Sequence, residues 1–424
     1  MADNLVQPEN NSVLSARLSS GLSSESSSGS TWFSLNDYTT RMSFPSFGLK
    51  EYFHPGTAAS EETWSVTVCK TGKTPDQIRH ETEKQHLTIA SYNVMANAYS
   101  LPKRYPRTKP EELTLVHRIK TIISKIVALN ADIVLLQEVD EWETLWLPNL
   151  PPRYQGQWYA KEKKSANHMS KVGVAILYRM DSERKVAPGA VVPVDLDQLA
   201  DTHKNEDFRR GNTGLCMVFT YPPQEDLPID NYVVVGNVHT HWDPAFENLK
   251  LQQVLATSDA FHQTITAELE KSKRPVGAFP RTIPITRVLG GDWNLLRFSP
   301  DKTTGELRKN FLAYDQLREK LPGFYDPYGE YLVDLMARDK DLDCHYVSHY
   351  KHDGFKGILD YIWLDKQTEA SDVLCLKHHE ELEKVGVPSQ WVPSDHLPIA
   401  VAIKLKLSVP ETIPNPKTED APLD

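Results

Sequence analysis

Residues that can bind a metal ion recur where apolar runs of the sequence end. Asn93 closes the run 86–93, and Glu138 comes near the end of the run 131–139. A hard divalent cation such as Mg²⁺ prefers a few carboxylate and amide oxygens. Each residue alone has a plainer explanation, because Asn often starts a turn and a Glu at a strand end is usually solvated. A metal site is favoured only in combination with the polar residues that follow.

Two later apolar runs also end in polar residues. NVHTHWDP puts His239 and His241 on the same side of an extended chain. With no third His or Cys nearby, zinc ranks low, and a phosphate-contacting role of His239 is the better hypothesis. GGDWN projects Asp292 and Asn294 to one side, but Gly, Asp and Asn also form tight turns. Spacing alone leaves the turn and the functional site equally open.

The last polar break combines Asp360, inside the apolar segment FKGILDYIW, with Asp395 and His396 of VPSDHLPI. A buried carboxylate is costly unless it has a partner. If Asp360 meets His396, the carboxylate fixes the imidazole tautomer, and the two residues form an oriented general base. The chain has no GxSxG nucleophile motif. Taken together, these residues favour metal-assisted hydrolysis of a phosphodiester.

The segments that must position these residues alternate between strand and helix patterns. Helical spacing of apolar residues predicts helices at 111–129 and 246–273. Strands are predicted at 86–93, 131–139, 172–179, 213–221, 231–241, 286–294, 357–365 and 399–407. Many strands and fewer helices in this order predict an α/β sandwich, with sheets enclosed by helical layers.

Composition divides the chain into a central unit and two tails. Residues 1–60 are serine-rich and predicted to be a flexible tail, and residues 61–85 form a lead-in segment. One catalytic domain is expected at 86–407, because the sequence between the tails has no Gly/Ser linker and no repeat of fixed period. Residues 408–424 are proline-rich and acidic and form a second tail.

The composition is that of an ordinary globular protein without a membrane or secretion signal. Of 424 residues, 40% are hydrophobic and 25% charged, and no apolar run approaches the length of a membrane span. The serine-rich N-terminus contains several acids, whereas mitochondrial transit peptides are rich in Arg and poor in acids. A cytoplasmic or nuclear protein that is not bound to membranes is expected, and mitochondrial import is disfavoured.

Six motifs in order, SYN, LLQEV, NVHTHWDP, GGDWN, LDYIW and PSDHLP, resemble the endonuclease, exonuclease and phosphatase superfamily. Within it, HxHWDP and FKGxxDY are similar to the carbon-catabolite-repressor-type deadenylases and their relatives Angel and nocturnin. The resemblance covers residues 86–407. It implies a four-layered α/β sandwich of two packed mixed sheets flanked by helices, dependence on Mg²⁺ or Mn²⁺, and 3′-to-5′ removal of nucleotides from RNA.

The resemblance also implies roles for the residues on the metal side. Glu138 would be the principal metal ligand, with Asn93 assisting and Asp395 touching the metal shell. Asp292 would orient or activate the attacking water.

On the substrate side, Asn294 and His239 would hold the non-bridging phosphate oxygens, and His396 with Asp360 would complete the acid/base set. Three residues would surround the terminal adenine: Pro244, Asn294 and Phe355. RNA with a 3′ poly(A) tail is therefore the expected partner. No leucine-rich repeat precedes the catalytic unit, so scaffold attachment and stable complex membership are in doubt.

The net charge, the basic segments and a cluster of Cys and His residues leave other functions open. The formal net charge is −10, and basic segments at 102–109, 161–171 and 204–210 either bind RNA, with Tyr105 or Trp158 stacking on bases, or are solvated loops. A further cluster fits no common zinc spacing: Cys344, His345, His349 and His352. Two other functions compete with the deadenylase hypothesis. One is hydrolysis of a dinucleotide or other small phosphorylated substrate, and the other is RNA binding without catalysis.

Overall fold

Two six-stranded mixed sheets, packed face to face, form the centre of the computed structural model. The structure describes residues 86–165, 168–181, 187–221, 231–271, 284–300, 307–309, 312–338, 346–351 and 355–405. The predicted N-terminal tail, lead-in segment and C-terminal tail lie outside the described residues.

The strands and helices of the described residues follow in chain order. The strands are β1 His86–Asn93, β2 Ile133–Val139, β3 Tyr154–Ser165, β4 His168–Arg179, β5 Ala187–Asp195, β6 Thr213–Tyr221, β7 Asn231–His239, β8 Ile285–Asp292, β9 Phe298–Pro300, β10 Leu307–Lys309, β11 Phe324–Tyr325, β12 Tyr346–Val347, β13 His349–Tyr350, β14 Lys356–Gly357, β15 Asp360–Asp365, β16 Ala370–Val373, β17 Lys377–His378 and β18 Ile399–Lys404. The α-helices are α1 Pro110–Leu113, α2 Leu115–Leu129, α3 Leu147–Asn149, α4 Gln198–His203, α5 Glu247–Lys271, α6 Leu312–Lys320, α7 Pro327–Arg338 and α8 His379–Val385.

Each sheet is built around one parallel pair of strands. The first sheet has the order β16-β18-β1-β2-β4-β3, and the second has the order β11-β15-β8-β7-β6-β5. β1 and β2 are parallel and are connected through α2, whereas β7 and β8 are parallel and are connected through α5. Parallel neighbours need such a crossover, and a helix usually supplies it. The carboxyl ends of each parallel pair therefore lie at one edge of its sheet.

The central strands are buried on both faces. Leu87 and Ile89 of β1 belong to the core between the sheets, whereas Ala90 and Tyr92 pack in a cluster with Ile119 of α2. This alternation follows from the two-residue period of a strand. On the opposite side, α5 packs on β5, β6 and β7. The layers are therefore helix, sheet, sheet and helix, and the predicted four-layered sandwich is confirmed.

The predicted helices are present in the structure. The segment 111–129 is divided into α1 and α2, and the segment 246–273 corresponds to α5. Among the described residues, no helix is both long and apolar enough to cross a membrane.

The eight predicted strands are also present, with shorter C-terminal ends in several of them. β7 ends at His239 and β8 at Asp292, two residues earlier than predicted in each case. The edge strands β3 and β5 were missed. An edge strand such as β5, with two prolines and mostly half-buried residues, lacks the continuous apolar run that marks a central strand.

The GGDWN segment is strand and not turn up to its aspartate. A Cβ atom at Gly291, whose φ is +137°, would lie 2.0 Å from the carbonyl oxygen of Val238. At Gly290 it would lie 2.8 Å from Leu135 of the facing sheet. The two glycines therefore permit close approach of neighbouring backbone and of the opposite sheet.

We expect Gly291→Ala to lower the free energy of unfolding by more than about 3 kcal/mol, because the methyl group would overlap Val238. Gly386→Ala is the matched control, since Gly386 also has a positive φ, +76°, but has nothing within 4 Å of a built Cβ. Gly386→Ala should lower the free energy of unfolding by about 1 kcal/mol. Urea unfolding measures both values, and equal losses would contradict the argument.

Candidate active site

Three of the predicted site residues lie in one row across the second sheet. His239 ends β7 and pairs in register with Asp292, which ends β8. Asp292 also pairs with Asp360, the first residue of β15. The row brings together residues separated by more than a hundred positions in the sequence, because neighbouring strands of a sheet lie less than 5 Å apart.

Asp292 is the centre of this row. Its Oδ2 atom accepts a hydrogen bond of 2.8 Å from Nδ2 of Asn93, which arrives from β1 of the first sheet. The same oxygen lies 3.6 Å from Nε2 of His239 and 3.6 Å from Nε2 of His396. Nδ1 of His396 lies 2.8 Å from Oδ2 of Asp360, so the predicted pairing of Asp360 with His396 is present.

Glu138 reaches the site through a local irregularity of β2. The pairing of β2 with β4 shifts at this residue, and its backbone has a φ of 58°. A bulge redirects a side chain from the regular alternation of a strand. Oε2 of Glu138 accepts a 2.9 Å hydrogen bond from the backbone of Ala96, and Oε1 lies 3.9 Å from Nε2 of His239.

The ionisation of these groups is strongly perturbed. Burial, followed by the negative charge of Asp395, raises the pKa of Glu138 to about 7. Burial also raises the pKa of Asp292 to about 6, against the opposing charge of His396. Burial alone would lower the pKa of His396, but the charges of Asp360 and Asp292 outweigh it and raise the pKa to about 10. At neutral pH the site therefore holds an imidazolium beside ionised Asp292.

Two side chains contact one oxygen of Asp395. The hydroxyl of Tyr105 donates to Oδ2 at 2.5 Å, and Nε2 of His349 lies 3.5 Å from the same atom. Burial would raise the pKa of Asp395, but His349, His396 and Tyr105 together hold it below its ordinary value. Tyr105 is only 6% exposed, so the prediction that it stacks on RNA is wrong.

Asn294 lies just beyond the row in a left-handed conformation, with a φ of 47°. Its backbone N–H donates to Oδ1 of Asp292 at 2.9 Å, and its side-chain amide donates to the carbonyl of Thr240. The buried Lys250 of α5 donates to the carbonyl of Asn294 at 2.7 Å. These contacts fix Asn294 between the ends of β7 and β8.

The predicted adenine-binding residues Pro244 and Phe355 belong to the segments that follow β7 and precede β15. Pro244 begins the 3₁₀ turn Pro244–Phe246 that follows β7, and it is exposed. Phe355 precedes β15 and is 42% exposed, with its ring 5.2 Å from the ring of His349. Since β8 lies between β7 and β15, the two residues stand on opposite sides of the β8 end.

A buried arginine that the sequence analysis missed holds two segments of the site together. Arg118 of α2 is 1% exposed. Its guanidinium donates to four backbone carbonyls, those of Val94, Met95, Leu113 and Pro393. It therefore ties the chain after Asn93 to the chain before Asp395. The available signal was an arginine among apolar residues at helical spacing on the buried face of α2.

Two buried serines, also missed, fix the backbone of the catalytic residues. Oγ of Ser394 donates to the carbonyl of Asn93 at 2.7 Å and accepts from the N–H of His396. Oγ of Ser348 accepts from the N–H of Asp360 at 3.2 Å. No sequence signal distinguishes these serines from turn residues.

The donor set fits a hard divalent cation. The carboxylates of Asp292 and Asp360 offer oxygen atoms within 4.8 Å of each other, and Asp395 offers one within 4.8 Å of His349, whereas the protonated ring of His396 beside them has no lone pair for a cation. Glu138 and Asp395 repel each other electrostatically, and a cation between carboxylates removes that cost. Oδ1 of Asp360 is buried without a hydrogen-bond partner among the described residues. These oxygens match Mg²⁺ or Mn²⁺ better than zinc.

The histidine pair of the HTH sequence separates in the structure. His239 faces the acidic residues, whereas the ring of His241 packs edge-on against Phe246 at 5.2 Å. Of the second cluster considered for zinc, only His349 lies among the described residues, and it contacts Asp395.

Three cations of the basic segments form ion pairs with neighbouring acids. Arg209 pairs with Asp201 and Glu206, and Arg210 pairs with Asp207. Lys161 pairs with two aspartates, Asp195 and Asp197. The pairs of Arg209 and Arg210 are exposed, which favours a solvated surface for the segment 204–210, whereas most of the segment 161–171 belongs to strands β3 and β4 and is not a loop.

We expect Asp360→Asn to lower the pKa of His396 from about 10 towards the ordinary imidazole value, because the Asp360 charge holds the proton on the ring. The interaction of protonated His396 with Asp360 and Asp292 stabilises the fold fully below about pH 6.5, and this stabilisation is lost as pH rises through about 10. In Asp360→Asn the loss should occur at lower pH. NMR titration of the His396 ring, with exposed Asp201→Asn as control, tests this; an unchanged pKa would refute it.

Comparison with known proteins agrees with this architecture. The family model for the Endonuclease/Exonuclease/phosphatase family matches residues 90–396. The CCR4-Not complex 3′-5′-exoribonuclease subunit Ccr4 of Mycosarcoma maydis is 26% identical over 362 residues, covering 78% of this chain and 52% of the relative. The same subunit of Schizosaccharomyces pombe is 25% identical over 349 residues, covering 75% and 49%. The chain spans about half the length of these curated relatives.

A solved structure shares the fold. The crystal structure of ANGEL2, a 2′,3′-cyclic phosphatase, superimposes with a TM-score of 0.52 at 17% identity, covering 76% of this chain and 96% of that chain. The resemblance inferred from the six motifs is confirmed, since the family match begins in β1 and ends at His396. The chain belongs to the Endonuclease/Exonuclease/phosphatase family of phosphoester-hydrolysing enzymes.

Proposed function

We propose that the protein is a 3′-to-5′ exoribonuclease that depends on Mg²⁺ or Mn²⁺, prefers poly(A) and releases AMP. The observation that carries the proposal is the convergence on Asp292, within 3.6 Å, of Asn93, His239 and His396 from both sheets. Glu138, which lies 3.9 Å from His239, completes the set. The Ccr4 relatives are named as exoribonucleases, which supports an RNA substrate.

We assign activation of the attacking water to Asp292. With a pKa of about 6 it is ionised at neutral pH and can take the water proton as the oxygen attacks phosphorus. The bond between phosphorus and O3′ of the preceding nucleotide then breaks, O3′ takes up a proton from solvent, and AMP leaves. Asn93 holds Asp292 in place by donating to its Oδ2.

His396 acts in this proposal as a charged donor. Its pKa of about 10 keeps the ring protonated at neutral pH, so it stabilises negative charge that develops on the phosphate. Pairing with Asp360 alone would favour a general base, but Asp292 adds a second negative charge beside the ring and keeps it protonated. His239 and Asn294 flank the row and would donate to the non-bridging oxygens.

A divalent cation held by Glu138, Asn93 and Asp395 would supply Lewis-acid stabilisation of the phosphate. The donors proposed here lie at the end of β1, in the bulge of β2 and in the segment before β18. All three belong to the first sheet or to its connections, whereas the row with Asp292 belongs to the second. The substrate phosphate would lie between the two groups.

The adenine preference is assigned to Pro244, Asn294 and Phe355. An exposed aromatic ring can stack on any base, so Phe355 supplies affinity, and preference for adenine needs the polar side chain of Asn294. Membership of a larger assembly, named for the Ccr4 relatives, is not assigned to this chain, because the match covers about half of those proteins.

We expect Glu138→Ala to reduce shortening of a 5′-labelled A-tailed RNA by on the order of 10²-fold or more, because a principal cation ligand is lost. Exposed Glu143→Ala, five residues along the chain, is the matched control and should leave the ladder unchanged. A time course with and without Mg²⁺ measures both. Shortening that survives Glu138→Ala, or that needs no divalent metal, would refute the proposal.

We expect Phe355→Ala to raise KM for A-tailed RNA about tenfold, since stacking of a base on an aromatic ring contributes about 1–3 kcal/mol. Phe355→Tyr retains the ring and should keep KM within about twofold. Tails of A, U, C and G are compared in the same assay. Equal shortening of all tails by the unmodified protein would indicate a general 3′ exonuclease.

Hydrolysis of a small phosphorylated substrate is the second candidate. Ion pairing of Lys161, Arg209 and Arg210 with neighbouring acids leaves less positive surface for a long RNA. Comparing oligo(A), a dinucleotide and phosphorylated cofactors at equal enzyme concentration separates the two functions. Faster turnover of the small substrates would favour this candidate.

A further inference from the structure

A second layer of side chains surrounds Asp395. The Tyr105 hydroxyl at 2.5 Å and His349 Nε2 at 3.5 Å both contact Oδ2. Tyr105 comes from the segment between β1 and α1, whereas His349 is the first residue of β13. Two distant parts of the chain therefore fix the orientation of one carboxylate.

The ring of His349 touches three functional elements at once. It packs edge-on against the ring of His396, with centroids 4.5 Å apart, and its backbone forms a β-bridge with His396. On another side it contacts the exposed ring of Phe355, with centroids 5.2 Å apart. The same imidazole faces Asp395 with its Nε2 atom.

The surroundings of His349 specify its tautomer. Its Nδ1 atom is buried and has no hydrogen-bond partner among the described residues. A proton there would leave a buried donor unsatisfied, at a cost of about 1–3 kcal/mol. A proton on Nε2 instead lies towards Oδ2 of Asp395.

We propose that Tyr105 and His349 are positioning residues for the cation site. They hold the carboxylate of Asp395 in the orientation in which it would bind the cation, and His349 in addition supports the ring of Phe355. One side chain thereby couples the cation ligands to the base-binding aromatic ring. The inference rests on the proposed role of Asp395 in the metal shell.

The role of Tyr105 and His349 at the cation site is tested by direct binding of Mg²⁺ to the full chain, measured by calorimetry without RNA. We expect Tyr105→Phe and His349→Leu each to weaken Mg²⁺ binding about tenfold, as loss of an outer partner of a ligand does. His349→Gln keeps an N–H donor near the position of Nε2 and should restore most of the affinity. Tyr154→Phe, which removes a buried hydroxyl bonded to Ala131 far from the site, is the matched control.

Mg²⁺ affinity that is unchanged in both Tyr105→Phe and His349→Leu would overturn the inference. Equal weakening by Tyr154→Phe would also overturn it, because the effect would then be general destabilisation. Thermal melting identifies a variant that does not fold, and the nearly isosteric Tyr105→Phe then decides the outcome. An unmodified chain that binds no Mg²⁺ would refute the proposed function itself, which distinguishes the two failures.

The support of Phe355 by His349 is tested by KM for A-tailed RNA. His349→Gln lacks the ring behind Phe355, so it should raise KM at least threefold while Mg²⁺ affinity stays near that of the unmodified chain. A merely structural role would lower both values or neither. Unchanged KM in His349→Gln would overturn the proposed support of Phe355. The role of His349 in positioning Asp395 is decided by the calorimetry alone.

Discussion

The buried ion pair between Asp360 and His396, at 2.8 Å, is the interaction on which the rest of the site depends. It joins the first residue of β15 in the second sheet to the segment that leads into β18 in the first. Removing one partner would leave an uncompensated buried charge, which costs about 3–5 kcal/mol. With the pair intact, His396 carries a positive charge beside Asp292, and the acidic row can be buried.

The remaining constraints act on the backbone at the ends of the strands. Arg118 binds carbonyls before and after the site residues, and Ser394 joins Asn93 to His396. These buried donors satisfy carbonyls that no sheet ladder reaches. The segments that carry Asn93 and Asp395 are therefore held by polar contacts within the protein, and a rigid donor set is available to a cation and a phosphate.

Three residues at or next to the site have a backbone in the left-handed region. Met95, Glu138 and Asn294 adopt positive φ values of 55°, 58° and 47°. Such conformations cost about 1–3 kcal/mol each in residues other than glycine and persist only where surrounding contacts impose them. The contacts are present: Met95 is bound through Asn93 and Arg118, and Asn294 through Asp292 and Lys250. The resulting conformation turns Glu138 and Asn294 away from the regular strand alternation.

The sequence by itself determined the central strands, the two crossover helices and the residue types of the site, because alternating burial and strand-end polarity are local properties of the chain. It could not determine the bulge at Glu138, the anchoring by Arg118 or the contacts of Tyr105 and His349 with Asp395. These depend on residues that only packing brings together, such as Tyr105 and Asp395, which lie 290 positions apart. The charge state of His396 was likewise decided by tertiary structure, since it needs Asp292 and Asp360 from two neighbouring strands.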